Sequence, residues 1–153
     1  MTGMSRHRGR APRPIPALLF SVLVAGLGAG DARAEPDAYA LYALHCMGCH
    51  QRDGAGQGTI PPLRDFVGNF LRVPGGREFL VQVPGVAQSA LSDADTAVVL
   101  NWMLTELSPD RLPEDFRPYD GDEVARYRPG RLVDVDPVRA RLVEDMRSRG
   151  IVE

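Results

Sequence analysis

The stretch ALHCMGCHQRDG, residues 43–54, decides how this chain is read. It holds both cysteines of the 153-residue sequence, Cys46 and Cys49, with His50 directly after the second. Three chemistries use thiols at that spacing: a thioether-linked haem, half of a zinc site, and a redox dithiol. A structural zinc needs four ligands. Cys46, Cys49, His50 and His45 crowd one turn, and no cysteine or histidine follows His50 to complete a tetrahedron. A redox dithiol belongs in a βαβ setting, and the chain shows no strand–helix–strand alternation. A disulfide closing so small a loop adds little entropic stabilisation. C-x-x-C-H is the attachment signature of a c-type haem. One helical turn sets Cys46 and Cys49 along one haem edge, each thiol adding to a vinyl group, with the His50 imidazole under the iron.

The N-terminus fixes the compartment in which this chemistry is expected. Residues 1–14 carry Arg6, Arg8, Arg10 and Arg13 and no acid, an apolar run extends from Ile15 to Ala29, and Ala32-Arg33-Ala34 is an A-x-A site. This pattern predicts a secretory signal peptide over 1–34, cut between Ala34 and Glu35, and a periplasmic protein. The run falls short of the roughly 20 apolar residues that span a bilayer. No second run of spanning length follows, so the mature chain is expected to carry no membrane span. Cleavage leaves 119 residues with 13 arginines against 19 acids, and there is no lysine. That suffices for one domain with a modest core. A nucleic-acid partner would need a basic footprint. The acidic balance points instead to partners with a basic patch.

Outside the motif, PDAYALYALHC reads as a short helix with Tyr42 four residues and Ala38 eight residues ahead of Cys46. QRDGAGQGTIPPL is a glycine-rich loop ending in a proline segment. LSDADTAVVLNWMLTEL opens on an [ST]-x-x-[DE] cap, Ser92 and Asp95, and sets Val99, Met103 and Leu107 on one helical face. Across residues 36–107 these features resemble the class I cytochrome c family. The resemblance implies an all-α cytochrome c fold of about three to five helices around one covalently attached haem c. Cys46 and Cys49 would attach it and His50 would be the proximal iron ligand. Pro61 would offer its carbonyl to the His50 ring N–H, and Trp102 would pack across the first helix.

One element of the family pattern is missing. Its members usually carry a methionine in the loop before the last core helix, and VPGVAQSALSD, residues 83–93, has none. The mature chain offers Met47, Met103 and Met146. Met47 lies between the cysteines, and His45 is tied to the same turn. Met103 is the candidate distal ligand, although a packing role suits its position better. Gln88 could offer a weak amide oxygen. Arg72 and Arg77 read as solvated, with haem propionate binding as the alternative. LRDFVGNFL and GREFLVQV read as short helical segments broken at Pro74-Gly75-Gly76 and Pro84-Gly85. Phe66, Phe70 and Phe79 read as core.

Residues 35–107 therefore read as a cytochrome c domain and 108–153 as a C-terminal extension. DGDEVARYR predicts a short helix. DVDPVRARLVEDMRSRG predicts a helix near 137–149, with Asp136 as N-cap and Gly150 as stop. Val138, Leu142 and Met146 form its apolar face, expected to pack on the core, with a docking surface for a redox partner or a lid over the haem as the alternative. The function expected is one-electron transfer between redox partner proteins, a periplasmic dehydrogenase and a terminal-oxidase-side acceptor. The alternative is an open-coordination haem with peroxidase-like or gas-binding activity.

Overall fold

The computed structural model describes residues 37–153. The expected signal peptide and its cleavage site lie outside the described residues. Helix α1 spans Ala38–His45 and begins because the Asp37 carboxylate accepts from the backbone N–H of Tyr39 and Ala40. Helix α2, Met47–His50, is the single turn that carries the cysteine pair. A 3₁₀ turn follows at Val67–Arg72, then α3 (Gly76–Gln82) and α4 (Pro84–Ala87). Helix α5, Asp93–Leu107, is the longest, and its start is the expected cap: Ser92 Oγ accepts from Asp95 N at 3.0 Å. Helices α6 (Gly121–Tyr127) and α7 (Asp136–Ser148) complete the chain. Among the described residues, strand-type pairing is confined to Gln57 and Ile60. The fold is all-α.

The first and last core helices cross as the aromatic spacing suggests. Tyr42 of α1 is fully buried, and its ring lies 4.9 Å from that of Trp102 on α5; Tyr39 adds a second contact at 5.7 Å. Val99, Met103 and Leu107 are all buried along one face of α5. Phe70 and Phe79 stack at 4.8 Å, with Phe66 edge-on to Phe70.

The breaks differ in detail from those expected. Gly75 makes the turn before α3 with φ of +81°, whereas Gly76 is already helical and packs directly on the Phe70 backbone. The break expected at Pro84-Gly85 is there, since α3 ends at Gln82 with Val83 as its cap, but the same proline also starts α4, in the first turn where its missing N–H costs nothing. Asp136 is the first residue of α7 rather than its cap, a shift of one position, and Val135 in the cap position makes no side-chain bond.

The segment after Leu107 lies against the core. Val124 and Met146 are fully buried, as is nearly all of Leu142. Asn101 of α5 and Tyr119 exchange two bonds: Tyr119 N donates to Asn101 Oδ1 at 2.7 Å, and Asn101 Nδ2 donates to Tyr119 O at 3.0 Å. Arg77 corrects both sequence readings of it. It is neither solvated nor free for a propionate, because its guanidinium donates to both Glu123 carboxylate oxygens and to the Arg117 and Pro118 carbonyls. It also lies 4.0 Å over the Tyr119 ring. Arg72 is exposed, as expected.

Candidate functional site

The cysteine pair sits where α1 hands over to α2. Cys46 is the last residue tied to α1, its N–H donating to Tyr42 O at 2.8 Å, and its own carbonyl accepts from Cys49 N and His50 N. The two cysteines and the histidine thus share one turn. Both thiols are free, Cys46 half-buried and Cys49 exposed. Burial, then the neighbouring Cys49, pushes the Cys46 thiol up to about 11. That is the wrong direction for a redox nucleophile, which needs a stabilised thiolate.

A chain of bonds fixes the residues just after the turn. Gln51 takes φ of +63°, and its carbonyl accepts from the buried Tyr42 hydroxyl at 2.6 Å. Its side chain reaches forward, Nε2 donating to Gly56 O at 2.5 Å, while Gly56 N donates back to His50 O at 3.2 Å. Gly56 itself has φ of +76° and packs against the Ile60 and Pro61 backbone. The loop is thereby folded under His50, with Pro61 brought alongside. Burial lowers the His50 pKa, while the Pro61 carbonyl opposes that shift. The imidazole is thus favoured in its neutral, metal-ligating form. His50 Nδ1 is buried and makes no well-formed hydrogen bond.

Tyr42 gives this bond chain a pH signature. Burial pushes its phenol up to about 12 from an ordinary value of 10.0. The unfolded chain therefore loses this proton before the folded chain does. For this group stability should fall with rising pH between pH 10 and pH 12, by at most about 1.4 kcal/mol per pH unit. Urea unfolding of Tyr42→Phe across that range should show a shallower decline than the parent chain. At neutral pH the variant should be less stable by about 1 kcal/mol, for the lost bond to Gln51.

A narrow apolar cleft opens beside Cys46. Val86 of α4, Leu91 of the following loop, and Thr96, Val99 and Met103 of α5 line it, with His45 at its edge. Met103 is buried and faces this cleft. Met146 lies elsewhere, under α7 against the 3₁₀ turn and α3. Gln88 is exposed and is not among the lining residues. The donor set fits a covalent haem. Two free thiols and a half-buried imidazole with its Nδ1 shielded from solvent lie on one turn, next to a mostly apolar cleft.

No protein-family model matches the chain. It is 33% identical over 134 residues to a protein named cytochrome c-552 from Thermus thermophilus, covering 75% of this chain and 87% of that relative. The chain belongs to the c-type cytochrome family. A second Thermus thermophilus protein named cytochrome c-552 is 32% identical over 117 residues, covering 64% of this chain and 88% of its own length. Covalently bound haem c defines this family, and electron transfer is its activity.

Sequence reasoning missed two contributors to this cytochrome's site. Gln51 looked like an ordinary polar residue; its left-handed backbone and forward bond to Gly56 emerge only from the folded loop. Arg128, far along the chain, reaches the wall of the cleft: it donates to Leu91 O at 3.0 Å and to Thr96 Oγ1 at 2.5 Å. No local pattern marks either residue.

Proposed function

We propose that Cys46 and Cys49 bind one haem c through thioether bonds, that His50 is its proximal iron ligand, and that the Pro61 carbonyl orients the imidazole. The observation that carries this reading is the shared turn: the Cys46 carbonyl accepts from the backbone N–H of Cys49 and His50, and the Gly56 loop folds back onto the His50 carbonyl, so both thiols and the half-buried ring of His50 lie on one turn. The haem supplies a one-electron ferric/ferrous couple. The chain's own residues do the rest. His50 stays neutral and directed, and the aliphatic wall excludes water from one side. The protein is read as exported through its N-terminal segment to the periplasm, where it passes single electrons between redox enzymes. Intact mass after export tests the attachment: a mass without covalent haem overturns it.

A specific observation supports a second reading, an open-coordination haem with peroxidase-like or gas-binding activity. The loop 83–93 contains no methionine. Met103, the candidate distal ligand, is read as packing on the cleft wall, beside Val99 on the same helix face. A carbon monoxide difference spectrum of the reduced protein separates the two. Ready binding favours the open face. A low-spin spectrum with a near-infrared iron–sulfur band, lost in Met103→Ala, establishes Met103 ligation and the carrier.

The mature sequence carries six more acidic than basic residues, and screening weakens steering between opposite charges. Electron transfer to a basic partner should therefore slow as salt is raised. A flat salt profile from about 0.01 to 0.15 M ionic strength, where the screening length shrinks about fourfold, would indicate apolar docking.

A further inference from the structure

The loop between α4 and α5 walls the cleft beside Cys46; Leu91 packs into the core, yet few hydrogen bonds tie the loop to the rest of the fold. Gln88 N and Ser89 N bond back to Pro84 and Val86, within the same short segment. Among the described residues, the long-range hydrogen bonds that reach residues 88–91 come from one side chain, Arg128 of the C-terminal segment. Its Nη1 donates to Leu91 O at 3.0 Å and pairs with Asp93 at 2.8 Å. Its Nη2 donates to Thr96 Oγ1 at 2.5 Å and reaches Ser89 Oγ at 3.4 Å. Thr96 is fully buried, and its hydroxyl proton is already given to Ser92 O, so its oxygen is free to accept. Ser89, Leu91 and Thr96 all line the cleft. Pro129 follows Arg128 in a 3₁₀ turn that fixes where the side chain starts. Leu132 N bonds to Gln82 O at 2.9 Å, anchoring the same tail segment next to the loop's beginning.

We propose that Arg128 is a positioning residue that latches the cleft-wall loop shut from behind and thereby controls how readily external ligands reach the distal face of the haem. The proposal rests on the haem reading above. With no methionine in the loop to tie it to iron, the loop is tied to the tail instead. A guanidinium suits this task because it presents several donors in one rigid fork, here bonded to a carbonyl and two hydroxyls and ion-paired with a carboxylate. The latch differs from the tail contact made by Arg77, whose side chain bonds Glu123 and the Arg117 and Pro118 carbonyls and whose own carbonyl accepts from the Tyr119 hydroxyl, none of them a loop residue.

The test uses the full haem-loaded protein and measures cyanide association with the ferric form by stopped flow, with covalent haem content read separately by mass. Arg128→Gln should bind cyanide roughly tenfold faster, the scale set by losing charge-assisted bonds, with haem content unchanged. Arg128→Lys should recover part of the slow rate through its charge on Asp93. Arg77→Gln should lower the melting temperature while leaving the cyanide rate at the parent value. Should Arg128→Gln fail to fold, Asp93→Asn removes one arm of the latch and should accelerate binding by a smaller factor. Equal acceleration in the Arg77 and Arg128 variants, or no acceleration in Arg128→Gln and Asp93→Asn, overturns the latch. A parent chain lacking covalent haem overturns the haem reading, and the latch with it.

Discussion

Replacing both Cys46 and Cys49 with serine is expected to abolish covalent haem completely. Intact mass should return the bare mature chain, and the visible haem spectrum should vanish after acid–acetone extraction. The fold should weaken as well. A haem that packs into the folded chain and not into the unfolded one favours the fold, so its loss should lower the melting temperature. His50→Ala should behave differently: covalent haem retained through Cys46 and Cys49, but the proximal ligand lost, with an altered Soret band and no electron transfer at the parent potential. Full haem content in the double cysteine variant would remove the basis of the attachment assignment.

Gly56→Ala should be the most damaging single change in the loop beneath His50. The backbone there has φ of +76°, and an added Cβ would meet the Ile60 carbonyl and the Pro61 backbone. Neither is the far end of a flexible side chain, so the loop itself must move. Strain and displacement together should destabilise by about 3 kcal/mol. The same movement draws the Pro61 carbonyl away from His50, so the midpoint potential should shift along with the melting temperature. Gly58, also at positive φ but with nothing near its Cβ position, provides the comparison. Gly58→Ala should show the smaller penalty of backbone strain alone, about 1 kcal/mol, and no change in potential. Equal effects of the two substitutions on potential would separate Pro61 from the haem ligand.

Most of the helices were legible because their signals are local. Ser92 caps α5 as read, and the i, i+4, i+8 face of α5 is buried as its spacing implies. The cysteine turn was legible for the same reason: all of its chemistry falls within five residues. Where readings slipped, the deciding contact lay far away in sequence. Arg77 looked solvated because its partners, Arg117, Pro118 and Glu123, are some 40 residues distant. Arg128 drew no notice because its partners stand more than 30 residues back. Pro84 was read as a breaker and is one, with α3 ending at Gln82 just before it; that the same residue also opens α4 is what the reading left out.

The crossing of Trp102 with Tyr42 and Tyr39 has an optical consequence. This indole is the sole tryptophan of the chain, and it is wedged against the helix that runs directly into the cysteine turn. A porphyrin absorbs where indole emits, so a haem held at that turn drains the excited state of Trp102 and leaves the folded protein nearly dark. Emission returns only as α1 and α5 separate. The molecule thus carries its own ruler for the contact that closes its core, readable without a label.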